Sequence, residues 1–205
     1  MVEAELRSGK CDDVTEFPAP EDIVVYRDAI TTFKFEFDQV FKPDSEQAEV
    51  FAHVKPFATS FLDGYNVCIF AYGQTGSGKT YTMEGPPENR GVNLRCLEEL
   101  FRLANEERAS EMSYEFVLSY LEIYNESVHD LLTEKPASGA GAGGGKKALE
   151  VRQSAGGNVV PGLSAVPVSS IEEVLALMER GASNRAVGSH DMNEHSSRSH
   201  SILTL

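Results

Sequence analysis

Eight consecutive residues, Gly73-Gln74-Thr75-Gly76-Ser77-Gly78-Lys79-Thr80, fill every fixed position of the pattern G-x-x-x-x-G-K-T. The residue types suit one task, the holding of phosphate. Glycines let successive backbone N–H groups turn toward an anion with no Cβ in the way. A helix opening at Lys79 would add the partial positive charge of its N-terminus. Lys79 is placed to reach β- and γ-phosphates, and the Thr80 hydroxyl to ligate Mg²⁺. Tyr81 follows directly and can be read as a helix residue packed on the core.

A second polar cluster lies far along the chain. Asn193-Glu194-His195-Ser196-Ser197-Arg198-Ser199-His200 is dense in hydroxyls and runs into Ser201-Ile202-Leu203-Thr204-Leu205. Such a loop entering a sheet beside a phosphate loop suits the sensing of a γ-phosphate, with the arginine steadying charge or latching a carboxylate. Nothing in it orders a nucleophile, base and orienting acid as a hydrolase needs. His190, His195 and His200 recur at a spacing that matches no zinc pattern.

Positioning these groups requires a strand, a loop and a helix. Residues 66–72, Asn-Val-Cys-Ile-Phe-Ala-Tyr, form the apolar run expected of a buried parallel strand. Upstream, Phe33, Phe35 and Phe37 alternate with polar residues and predict a half-buried strand, as do Ile23 to Tyr26 more weakly. Asp44 and Gln47 resemble a capping box ahead of a helix whose apolar face carries Val50, Phe51, Val54, Phe57, Ala58, Phe61 and Leu62. Pro56 should kink it, and Asp63-Gly64 end it. Residues 84–91 read as a surface loop, Asn93 opens a further helix, and residues 113–124 form a long strand. Ser127 to Leu132 suggest a short helical turn. Residues 133–147 are low in complexity and read as a flexible Gly/Ala loop inside the domain. Short strands flank Gly156-Gly157, and Ser170 with Glu173 caps a helix that Gly181 should weaken or end. The implied fold is α/β, a helix feeding a central strand that feeds a loop and a second helix.

Composition bounds the partners. The chain has 205 residues, 41% of them hydrophobic, enough for a core. A net charge of −14 argues against nucleic acid or an anionic membrane as partner. Cys11, Cys68 and Cys96 suit free thiols in a reducing compartment, and no run approaches membrane-spanning length. A soluble cytosolic protein is expected.

Taken together the motifs resemble a kinesin motor domain. The resemblance is carried by Phe37-Asp38-Gln39-Val40-Phe41, the block Gly64 to Gly85, Leu121-Glu122-Ile123-Tyr124-Asn125-Glu126, and Asn193 to Ser201. Asn89-Arg90-Gly91-Val92 and Ala186-Val187-Gly188 look most like the C-terminal-motor, minus-end-directed kinesins. The resemblance implies a P-loop NTPase-type three-layer sandwich with a central, mainly parallel sheet flanked by helices. It divides the chain into an acidic segment, residues 1–28, and a partial motor domain, residues 29–205, holding the phosphate loop and first switch loop. It further implies an ATPase that moves along microtubules, with ATP and Mg²⁺ as ligands and a location on the cytoskeleton. Residues 73–81 would bind nucleotide, with Tyr81 on the adenine. Thr80 and Ser197 would serve Mg²⁺, Ser196 would close on the γ-phosphate, Asn193 would sit beside the phosphates, and Arg198 would pair with a second-switch glutamate. That second switch, the main microtubule contact and any coiled coil for dimerisation are not found in these residues, nor is the Arg-x-Arg-Pro that usually begins the family's first strand. An alternative is a non-motile nucleotide-binding or regulatory module without turnover; an unrelated phosphate-loop ATPase or kinase is a third.

Overall fold

The computed structural model describes residues 14–28, 30–110, 112–133, 148–187 and 199–205. The chain falls into two compact units, residues 1–99 and 100–205.

The first unit opens with an antiparallel meander, β1 (Thr15–Ala19), β2 (Asp22–Tyr26) and β3 (Thr32–Glu36). The Asp28 carboxylate accepts from the amides of Ile30 and Thr31 and shapes the β2–β3 connection. Its pairings join residues 22–26 to 32–36, so the expected boundary after residue 28 falls between two strands of one sheet. Of the alternating phenylalanines, Phe33 and Phe35 lie in β3 and Phe37 follows its end. Phe33, Phe35 and Phe37 nonetheless stay 45%, 47% and 55% exposed, more open than a strand with one face in the core.

Helix α1 (Gln47–Leu62) is capped two residues later than the sequence suggests. The Glu49 carboxylate accepts from the Glu46 amide at 3.0 Å, so the capping box is Glu46/Glu49 rather than Asp44/Gln47. The helix also runs unbroken past Pro56, with Ala58 and Leu62 buried on its apolar face. A proline deletes one hydrogen bond, but here the buried stripe continues on both sides of it. Residues 65–73 follow without pairing to any described strand, and Tyr65, Phe70 and Tyr72 are 69%, 77% and 95% exposed. This corrects the buried parallel strand expected at 66–72. A parallel strand exists only through neighbours on its edges, and apolar content alone cannot supply them. Helix α2 (Lys79–Met83) follows, and helix α3 (Val92–Arg102) runs across the boundary between the units and continues into a π-helical turn at Leu103–Glu107.

The second unit is built on β4 (Phe116–Tyr124), the long aromatic and β-branched run. It pairs antiparallel with β5 (Ser127–Asp130), β8 (Val166–Val168) and β9 (Ser199–Thr204). The predicted helical turn at 127–132 is therefore strand β5. Asn125 and Glu126, at φ 47° and 61°, turn the chain in two left-handed residues, the geometry that suits a tight hairpin. A small hairpin, β6 (Arg152–Ser154) and β7 (Gly157–Val159), precedes helix α4 (Ile171–Val187). The Ser170 hydroxyl accepts from the Glu173 amide at 3.4 Å, as the capping pattern predicts. The helix does not stop at Gly181. A Cβ there would lie 2.3 Å from the Tyr120 ring, so the glycine serves close packing of α4 on β4. Leu118, Leu131 and Val174 are fully buried around this contact. Every ladder among the described residues is antiparallel, and a mainly parallel sheet is not among them. The predicted Gly/Ala loop, apart from Thr133, lies outside the described residues.

Candidate nucleotide site

The phosphate-loop pattern folds into a tight turn that ends in α2. Gly76 and Gly78 sit at φ 81° and 89°, where a side chain would be strained. Gly73 is needed for space, since a Cβ there would fall 2.4 Å from the Ser77 hydroxyl oxygen. The Lys79 ammonium donates to the carbonyls of Gly73 and Gln74, each at 2.7 Å. The lysine thus braces the loop it belongs to and retains one N–H for a ligand. Gln74, Thr75, Gly76, Ser77, Gly78 and Thr80 are exposed and Lys79 is half-buried, so the cradle is open to an incoming anion. The Tyr81 ring is 56% exposed, which removes the core-packing alternative for it.

The turn-rich stretch after α2 is an ordered wrap. The Gly91 amide donates to the Glu84 carbonyl at 2.8 Å. Arg95 on α3 donates from Nε to the Arg90 carbonyl at 2.7 Å and from its terminal nitrogen to Asn89 Oδ1 at 3.1 Å. A Cβ on Gly85 or Gly91 would strike backbone across this loop. One contact was not legible in the motifs. Gln47, 3% exposed, donates its side-chain amide to the Tyr81 carbonyl at 2.5 Å. Its signal was a polar residue in register with Val50, Phe51, Val54 and Ala58, on the apolar stripe of α1.

Of the second cluster, Asn193, Ser196, Ser197 and Arg198 lie outside the described residues, as do His190 and His195. Nearby groups are described. In the second unit Glu122 on β4 is 2% exposed and accepts from Arg185 Nε at 2.9 Å. Arg185 also donates to the Ser199 hydroxyl at 2.5 Å. Asn184 donates to the Leu131 and Thr133 carbonyls, pinning the end of α4 to the turn after β5.

A glycine-rich turn braced by its own lysine and opening a helix defines a phosphate-loop protein. The comparisons carry this further: the kinesin motor domain family model matches residues 5–205, and the chain belongs to that family. It is 49% identical over 185 residues to "Kinesin-like protein KIN-14E" of Oryza sativa subsp. japonica, covering 90% of this chain and 16% of that protein. It is 48% identical over 208 residues to "Kinesin-like protein KIN-14S" of Arabidopsis thaliana, covering 100% of this chain and 26% of that protein. These are KIN-14 kinesins, the C-terminal-motor group that the sequence resembles. Among solved structures it matches that of a fast kinesin with a TM-score of 0.80 at 35% identity, over 98% of this chain and 55% of that one. It also matches KIF14 in a dimeric, two-heads-bound state with AMP-PNP in complex with a microtubule, TM-score 0.81 at 35% identity, over 99% and 57% of the two chains. The chain thus matches kinesin motor structures over about half of their length, and it spans about a quarter or less of these curated relatives.

Proposed function

We propose that this chain is the ATP-binding part of a microtubule motor that hydrolyses ATP. The observation that carries the reading is the phosphate loop itself, with Lys79 drawn over the Gly73 and Gln74 carbonyls and its remaining N–H available to phosphate. The loop amides and the start of α2 would hold the β- and γ-phosphates, and the Tyr81 ring would lie against adenine. The exposed Thr80 hydroxyl suits Mg²⁺, whose charge would offset that of the phosphates. Asn193, Ser196, Ser197 and Arg198 would complete the site from the first switch segment, with Ser197 a second group for Mg²⁺. Release of the γ-phosphate would then relax that segment and alter affinity for the track.

We place β1 to β3 within the motor domain, in keeping with the family match that begins at residue 5. The whole protein would form the three-layer sandwich with a mainly parallel sheet flanked by helices. Its main tubulin contact and a dimerising coiled coil would lie outside these 205 residues, and it would act in the cytoplasm on the microtubule cytoskeleton.

Lys79→Ala in the full-length protein should reduce binding of a fluorescent ATP analogue by more than about a hundredfold, since both the loop brace and the phosphate contact are lost. Unchanged affinity would sink the site assignment. Tight ATP binding by the unaltered full-length protein with no microtubule-stimulated turnover would favour a regulatory module instead.

A further inference from the structure

Helix α2 ends at Met83, so the Tyr81 carbonyl belongs to its last turn, where carbonyls must find partners outside the helix. In a continuing α-helix the Tyr81 carbonyl would take the Gly85 amide. Here the Gly85 amide goes to the Thr80 carbonyl at 3.2 Å, and the Glu84 amide goes there too at 2.8 Å. The Tyr81 carbonyl is met by Gln47 Nε2 at 2.5 Å, from a position 34 residues upstream. Gln47 is 3% exposed, so its amide contributes no solvent-facing function. It is also the first residue of α1, directly behind the Glu46/Glu49 cap that fixes the start of that helix. The donor is therefore held at its own base before it reaches Tyr81.

The phosphate cradle is set by different bonds. Lys79 ties to Gly73 and Gln74, and the Ser77 amide donates to the Gln74 carbonyl at 3.2 Å. None of these involves Gln47. Two supports thus meet at α2, one at the loop and one at Tyr81, whose ring is exposed while its carbonyl is bound.

We propose that Gln47 is a positioning residue for the nucleotide's base: by fixing the Tyr81 backbone it orients the Tyr81 ring, while leaving the phosphate cradle to Lys79. This rests on the nucleotide reading above. A side chain that served α2 as a whole would influence base and phosphates alike; one that acts through Tyr81 influences the base alone.

The test uses the full-length protein, with ATP and inorganic tripolyphosphate as probes, the second lacking a base. Gln47→Ala removes the donor, and Gln47→Met removes it while keeping the volume. Either should weaken ATP binding by up to about tenfold, since the free energy of one buried hydrogen bond bounds what ordering Tyr81 can contribute, and shift tripolyphosphate binding less than about twofold. In a Tyr81→Leu background the same Gln47→Met change should no longer affect ATP, because the ring it orients is gone. Parallel losses of ATP and tripolyphosphate would overturn the proposal in favour of general support of α2, and unchanged ATP affinity in both variants would overturn it outright. Lys79→Ala serves as the separate check, since it should abolish binding of both probes. If it does not, the nucleotide reading fails regardless of Gln47.

Discussion

At the scale of single residues, environment separates groups that the sequence presents as alike. Cys68 is exposed, whereas burial pushes the Cys96 thiol up to about 11. At pH 8 the Cys96 thiolate is then about one part in a thousand, and the thiolate is the reactive form. Iodoacetamide at pH 8, followed by peptide mass spectrometry, should modify Cys68 promptly and the half-buried Cys96 much more slowly; equal rates would contradict the raised thiol pKa of Cys96. The site was legible at this scale where chemistry dictates residue type and spacing together, as in Gly73 to Thr80. It was not legible at Gln47. A capping pattern and a buried hydrogen bond both use a polar side chain near a helix start, and the sequence does not say which partner the side chain takes.

At the scale of elements, close packing decides the sign of a substitution that propensity alone would favour. Gly181→Ala in α4 should gain about 1 kcal/mol of helix propensity. Its methyl would lie 2.3 Å from a ring carbon of Tyr120, which is itself 8% exposed and has little room to turn. Overpacking of this kind costs about 1–3 kcal/mol, so a net loss of up to about 2 kcal/mol is expected in urea unfolding. Tyr120→Leu should relieve much of the added penalty in a double-mutant cycle; strictly additive losses would mean the clash is not the cause. Helical periodicity identified α1, α3 and α4, and aromatic, β-branched content identified β4; α4 and β4 pack on one another through Gly181 and Tyr120. The errors came where the deciding partner is not local. Ser127 to Leu132 have no strong helical face, and the left-handed pair Asn125-Glu126 committed them to a hairpin with β4. Residues 66–72 have the composition of a central strand, but composition does not supply an edge to pair with.

At the scale of the whole molecule, a net charge of −14 and an acidic track oppose one another. The 205-residue chain alone should therefore not pellet with microtubules at physiological salt, while the full-length protein should; pelleting of the short chain would move the contact surface into these residues. The two units also differ in how far along the sequence their partners lie. The β1–β2–β3 meander joins neighbours, whereas β4 completes its sheet with β9, Ser119 opposite Thr204. Contacts of such separation form late, after the entropy of closing a long loop has been overcome. On the ribosome the meander and the β4–β5 hairpin can assemble while the chain is still emerging. The β9 side of β4 must wait for nearly all of these residues, with an open edge in the meantime, and that interval is when the nascent chain is most exposed to mispairing and most dependent on chaperones.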